Sequence, residues 1–592
     1  MNNQSIIPAT PHRTAETPIT PLLRARVERA IGGAARFGLI ASVPKPYRHR
    51  IAASTLYVLQ EGVVVNDSET TGRNPTDRTQ ADLERNTPTG QAGAVQAGPD
   101  RISTGSAGLD NILGGGFDAD RIYLYEGRPG TGKTTLAMQF LLEGAKQGEP
   151  TLYVTLSETR VELAVVAQRH GWSLDGIDVF ELISPEALLN PDHEMTVLHP
   201  AEMELNETTR LVFDRVEATN PTRVVFDSLS EMRLLAQNPL RYRRQILALK
   251  HFFAGRRCTV VLLDDLSSAQ NDLQVHSISH GVVLLEQLAI DYGAERRRLR
   301  VIKMRGIRFR GGYHDFTIET GGLAIYPRLI AAEHHQPFET AHTPSGNAAL
   351  DQLLGGGLER GTNALLIGAA GVGKSSLALT YAIAAAARGE HSVVFAFDEG
   401  RGTIIARAKA LGMSLQPALD AGLITIRQID PAELSPGEFA HQVRRAVEHD
   451  QARVVIIDSL NGYLNAMPDG RFLVLQMHEL LSYLSQMGVL SIMILAQHGM
   501  IGMTETPLDV SYLSDAVVML RYFEVAGTIR RALSVMKKRS GPHEHTIREF
   551  RLTGHGISIG APLAAFTGIL SGTPLYTGAP EPLLSTSSAV DG

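Results

Sequence analysis

"GRPGTGKT" (127–134) and "GAAGVGKS" (368–375) both fit the spacing G-x-x-x-x-G-K-[ST]. Each follows a predicted apolar strand and opens a predicted helix, the setting in which such a loop cradles phosphate. Gly127, Gly130, Gly132 and their counterparts Gly368, Gly371, Gly373 lack the Cβ that would hold the backbone off a phosphate. The helix that follows aims its unpaired N–H groups at the anion. Lys133 and Lys374 are the candidates for contact with β- and γ-phosphates. Thr134 and Ser375 are the candidate Mg2+ ligands, and Thr135 and Ser376 complete the loops. A glycine-rich turn that binds nothing explains one such match poorly and two still less. ATP and Mg2+ are the cofactors this pattern predicts.

Outward from these loops the chain repeats itself. "STGSAGLDNILGGGF" (103–117) returns as "TPSGNAALDQLLGGGL" (343–358). Asp351 lies 241 residues after Asp110, Lys374 lies 241 after Lys133, and Glu399 lies 241 after Glu158. Asp458 lies only 231 after Asp227, so the first copy carries about ten extra residues near "HPAEMELNETT". A register kept this long marks a duplication. Continuous apolar runs such as "TLYVTL", "RVVFDSL", "SVVFAF" and "VVIIDSL" alternate with helical stretches in both copies. They predict an α/β fold in which two tandem P-loop domains each carry a mostly parallel sheet flanked by helices. The predicted divisions are an extension over 1–100, a first domain over 101–330, a linker over 331–342, a second domain over 343–572 and a flexible tail over 573–592.

Polar residues gather at the carboxyl ends of these strands, where open α/β sheets bind ligands. "RVVFDSLS" (223–230) and "RVVIIDSLN" (453–461) end in Asp227 and Asp458, each suited to holding Mg2+. A lone acid there is often a helix cap, but the position downstream of each P-loop favours the metal role. Between P-loop and aspartate, "VTLSETR" (154–160) and "FAFDEGR" (395–401) place Glu158, Asp398 and Glu399 as candidate general bases. Ser157 stands where the second copy has Asp398, which predicts the stronger base arrangement in the second copy and an assembly-biased first site.

At 592 residues the chain exceeds one core, and 43% hydrophobic with 20% charged residues fits a globular protein. A net charge of −6 provides no global basic field for nucleic acid or an anionic membrane. One cysteine, Cys258, excludes an internal disulfide and a cysteine-rich zinc site, consistent with a cytoplasmic location. No apolar run reaches a membrane span. Residues 1–50 are rich in Arg and poor in acids, and 65–100 are polar and aperiodic, which predicts a largely disordered extension. A small helix–strand element over 20–63 is the ordered alternative. The linker histidines are read as solvated.

The duplicated loops, the two "LGGG" segments, "RRRLRVIKMRG" (296–306), "DVSYLSDAVVMLRYFE" (509–524), "MKKRSGPHEHTIREF" (536–550) and "ISIGAPLAAFTGILSGTPLY" (557–576) together resemble the KaiC family. These are tandem-domain members of the RecA-type P-loop ATPases, best known from the cyanobacterial circadian clock. The resemblance covers roughly 101–572. It implies a hexamer of two tiers with ATP between neighbouring subunits. It also implies that Lys303, Arg305, Lys537 and Arg539 reach the neighbour's γ-phosphate, and that the second domain phosphorylates itself. Ser511 matches the family's serine, while Tyr512 stands where a threonine is expected and puts a two-site cycle in doubt. The function expected is an ATP-hydrolysing ring protein with Ser/Thr autokinase activity, acting as a signalling or timing switch. The alternatives are a RecA/RadA-like DNA-dependent ATPase, disfavoured because no aromatic–basic strand-binding loop is evident, and a nucleotide-gated scaffold for partner proteins.

Overall fold

The computed structural model describes residues 100–182, 200–266, 273–289, 293–465, 470–497, 511–525 and 527–578. The predicted extension, including the helix–strand element over 20–63, lies outside them. In the first half the strands are β1 (Ile122–Gly127), β2 (Thr151–Thr155), β3 (Ile177–Glu181), β4 (Arg223–Asp227), β5 (Thr259–Asp265), β6 (Gly281–Leu288), β7 (Arg296–Met304), β8 (His314–Glu319) and β9 (Gly322–Tyr326). They form one nine-stranded sheet in the order β9-β8-β7-β6-β1-β5-β4-β2-β3. From β3 to β6 neighbours run parallel, and β6 to β9 form an antiparallel meander.

The second half repeats this order. Its strands are β10 (Asn363–Gly368), β11 (His391–Ala396), β12 (Ile424–Gln428), β13 (Ala452–Asp458), β14 (Leu490–Ala496), β15 (Ala516–Val525), β16 (Thr528–Lys538), β17 (Arg548–Thr553) and β18 (Gly556–Pro562). The sheet order is β18-β17-β16-β15-β10-β14-β13-β11-β12. The duplication read from sequence is therefore a duplication of topology.

Burial explains why the parallel strands read as unbroken apolar runs. Tyr123, Tyr125, Tyr153, Val225 and Val261 pack on one face of the first sheet with Leu136 and Phe140 of helix α1 (Lys133–Lys146). Leu124, Leu152, Val154, Val224 and Val260 pack on the other with Ile246 and Leu249 of helix α2 (Pro239–Phe253). Both faces are covered, so alternation is absent. It returns in β7, which lies in the meander and buries Arg296, Leu299 and Val301 between half-buried arginines. The sequence near which the first copy carries its extra residues opens a 20-residue helix, Pro200–Thr219, whose counterpart in the second copy is helix α3 (Pro436–Glu448) of 13 residues.

Contacts that join the halves include the following. The Arg296 guanidinium donates to the carbonyls of Pro431 (2.9 Å), Glu433 (3.2 Å) and Ala432 (3.3 Å). Asp315 accepts the Gly437 N–H at 2.8 Å in the first turn of α3, where a helix presents N–H groups with no internal partner. The segment read as a solvated linker is docked on the second half. Ala331 is buried in that half's core and its N–H donates to Glu479 at 3.0 Å. His334 packs edge-on against Tyr483 at 5.1 Å. Phe338 lies so close to Gly361 and Gly488 that a Cβ on either would come within 2.5 Å of its ring. The glycines make the room for this ring, and they lie far from it in sequence. Ordered structure also continues into the predicted tail. Leu575–Tyr576 pairs with Phe566–Thr567, and the Tyr576 and Phe566 rings lie 4.9 Å apart. In the first half Trp172 fills the space beside Gly322, next to His170. Among the described residues no helix is long and apolar enough to cross a membrane.

Candidate functional site

Each P-loop runs from the end of a central strand into a helix, β1 into α1 and β10 into helix α4 (Lys374–Ala387). Gly132 and Gly373 enter these helices in the left-handed region, with φ of 96° and 111°. A Cβ would also meet Ile318 at 2.9 Å in the first case and Phe550 at 2.8 Å in the second, so glycine is required twice over. Thr135 and Ser376 are buried in the first helical turns.

In the first copy Thr134 Oγ1 donates to Asp227 Oδ2 at 3.1 Å, and the Tyr153 hydroxyl donates to the same oxygen at 2.6 Å. Burial raises the Asp227 pKa, opposed by these two hydrogen bonds and by the charge of Lys133. Glu158 lies beyond the end of β2, in a turn where the Thr155 hydroxyl bonds both its carbonyl (2.7 Å) and its N–H (3.0 Å). Thr159 and Glu162 then close a reciprocal cap on the helix Arg160–Arg169. Glu158 Oε2 is buried with no hydrogen-bond partner, and its pKa is raised by burial, then by Asp227 and Glu162.

In the second copy Ser375 hydrogen-bonds Asp458, whose pKa burial raises even so. Glu399 pairs with Arg407, and Asp398 accepts from the Ser459 hydroxyl. The charges of both acids are felt at Asp458. The two acids of the second copy are thus engaged within the chain, while the single acid of the first has an open oxygen.

The lysines differ too. Lys133 Nζ donates to the carbonyls of Gly127 and Arg128, both at 3.0 Å, and pairs with Asp265 at 2.6 Å. Lys374 Nζ donates to Gly368 (2.9 Å) and Ala369 (2.8 Å), and burial lowers its pKa to about 8. Asp265 and Tyr153 were not singled out in the sequence. The signal for Asp265 was present in "TVVLLDD" (259–265), an acid closing an apolar strand, but its meaning depends on β5 lying beside β1.

Lys303 and Arg305 are not brought to the P-loop of their own half. Lys303 donates to the His276 carbonyl, and Arg305 to that of Ser277 at 2.5 Å. The same grip recurs where Lys537 donates to Ser511 O at 3.0 Å and Arg539 to Tyr512 O at 2.8 Å. Met304 pairs with Gly281 and Gly281 with Tyr123, so these cations sit where the parallel strands begin, while Gly127 marks the opposite end. Burial lowers the Lys303 pKa, with Arg305 and Lys250 adding to it. Ser511 is exposed and opens a 3-10 turn, Ser511–Leu513, before β15.

Hydroxyl and carboxylate oxygens beside a helix N-terminus are the donor set that suits Mg2+ with a bound phosphate. Thr134 with Asp227 and Ser375 with Asp458 fit that requirement. The sequence model of the KaiC ATPase family matches residues 102–330 and again 343–564. The chain belongs to the KaiC ATPase family. "Circadian clock protein KaiC3" of Synechocystis sp. is 26% identical over 497 residues, covering 82% of this chain and 96% of that protein. "Circadian clock oscillator protein KaiC" of Picosynechococcus sp. is 27% identical over 496 residues, covering 83% and 95%. KaiC of Synechococcus elongatus is 26% identical over 481 residues, covering 80% and 92%. Membership of the KaiC family implies nucleotide binding in both halves.

Proposed function

We propose that this chain is a magnesium-dependent ATPase that assembles as a hexameric ring, with ATP bound in both halves at the boundaries between copies. One observation carries the reading. A P-loop lysine, a hydroxyl, a strand-end aspartate and a strand-end acid are gathered twice, in register, in one chain. Magnesium held by Thr134 with Asp227, or by Ser375 with Asp458, supplies neutralisation of charge on the β- and γ-phosphates.

The protein groups divide the remaining work. The loop glycines and the helix N-termini bind the phosphates. Glu158 orients a water and takes its proton as the water oxygen bonds to the γ-phosphorus and the bond to ADP breaks. Its raised pKa makes it the better base once it is ionised. Glu399, with Asp398, serves in the second half. Lys303, Arg305, Lys537 and Arg539 stabilise the neighbour's transferring phosphoryl group, a role supported by their distance from their own loops. Autophosphorylation of the exposed Ser511 and a switching or timing role extend this reading, by analogy with the clock functions in the relatives' names.

The test is incubation with γ-labelled ATP, comparing label retained on protein with phosphate released. Glu158→Gln and Glu399→Gln should each lower phosphate release from their own half by about a hundredfold or more while nucleotide still binds. Label lost in Ser511→Ala supports the kinase step, and release without label supports an ATPase alone. Unchanged release in both glutamine variants refutes the assigned bases, and stimulation by single-stranded DNA would favour the recombinase-like alternative.

A further inference from the structure

The two P-loop lysines differ in what they already hold. A lysine ammonium has three protons to donate. Lys133 has three acceptors, the carbonyls of Gly127 and Arg128 at 3.0 Å and Asp265 at 2.6 Å, with 7% of its side chain exposed. Asp265 is held for this contact. It pairs across the sheet with Gly127, and Ser230 Oγ donates to its other oxygen at 3.1 Å. The neighbouring Arg233 pairs with Asp264 at 2.6 Å.

At the matching place of the second half, opposite Gly368, stands Ala496. Asn461 replaces Ser230 there and bonds the Ala496 backbone instead, at 2.7 Å to N and 3.1 Å to O. Lys374 holds two carbonyls, and among the described residues no carboxylate lies within ion-pair distance of it. We propose that Asp265 is a counter-ion built into the first P-loop, which competes with nucleotide phosphate for Lys133 and sets the first site's affinity below the second's. The inference rests on reading the first half as a nucleotide site. An incoming phosphate finds an open donor on Lys374 but must displace a carboxylate from Lys133. Once displaced, that carboxylate stays near the phosphates and repels them.

The test uses the full chain carrying Lys374→Ala, so that only the first site reports. It is titrated in EDTA with a fluorescent, non-hydrolysable ATP analogue. Asp265→Asn should bind about tenfold more tightly, the scale on which close charge pairs couple. The reverse change, Ala496→Asp in a Lys133→Ala chain, should weaken the second site by a similar factor. Unchanged or weaker binding in Asp265→Asn, where Lys133→Ala with Lys374→Ala abolishes binding, overturns the inference and leaves the nucleotide site standing. Binding that survives loss of both lysines overturns the site reading itself. Should Asp265→Asn fail to fold, Ala496→Asp decides alone, and an unaltered affinity there counts against the counter-ion.

Discussion

Lys374 carries its charge at a cost. Its pKa of about 8 lies below the ordinary 10.5 because the ammonium is buried. Between those values the unfolded chain holds a proton that the folded chain has released. The penalty is thus fully present below about pH 8, and this group's contribution to stability improves as pH rises through that window. A bound phosphate favours the charged form. Calorimetry near pH 8 in buffers of different ionisation enthalpy should register proton uptake on ATP binding, and affinity should fall as pH climbs above 8. Uptake of no protons there would refute a lowered Lys374. The loops, Asp227, Asp458 and the strand-end acids were legible because their spacing is local and each sits at a strand terminus. Tyr153 and Asp265 were not. Tyr153 looks like part of an apolar strand and Asp265 like one more strand-end acid, and the roles of both arise from partners far away in sequence.

At the scale of elements, the parallel order could be expected from unbroken apolar runs, but the joint between the halves could not. Arg296 belongs to a run of three arginines that reads as a solvated face. It is instead spent on three carbonyls of the loop after β12. Asp315 supplies a cap to a helix 122 residues away, which no local capping pattern predicts. Asp315→Ala removes a carboxylate acceptor from a helix N-terminus and should cost about 1–3 kcal/mol. Denaturant unfolding should show that loss, with the two halves' transitions drawing apart. A variant as stable and as cooperative as the parent would mean the contact contributes nothing. The linker is largely exposed, and its anchoring was not legible for a related reason, since Phe338 needs two glycines elsewhere in the chain to have a seat.

At the scale of the whole molecule, a single chain leaves the Lys303 and Arg305 side of its first sheet at the wrong end for its own loop. The proposed role of these two cations on a transferring phosphoryl group would therefore require a neighbour, and that gives a mixing test. With the second site silenced by Lys374→Ala in every chain, Glu158→Gln and Lys303→Ala should each be inactive in ATP hydrolysis. Mixed, they should recover part of the parent rate, because some boundaries then pair an intact glutamate with an intact lysine. No recovery on mixing would place the lysine's role within its own chain. Duplication also leaves one marker unduplicated. Trp172, the sequence's one tryptophan, sits in the first half against the sheet edge at Gly322, beside His170. Light absorbed at the red edge of the ultraviolet band is therefore emitted from the first half alone. The order in which two nearly identical folds lose or gain structure can be followed optically, in the unmodified protein, by comparing that emission with a signal common to both.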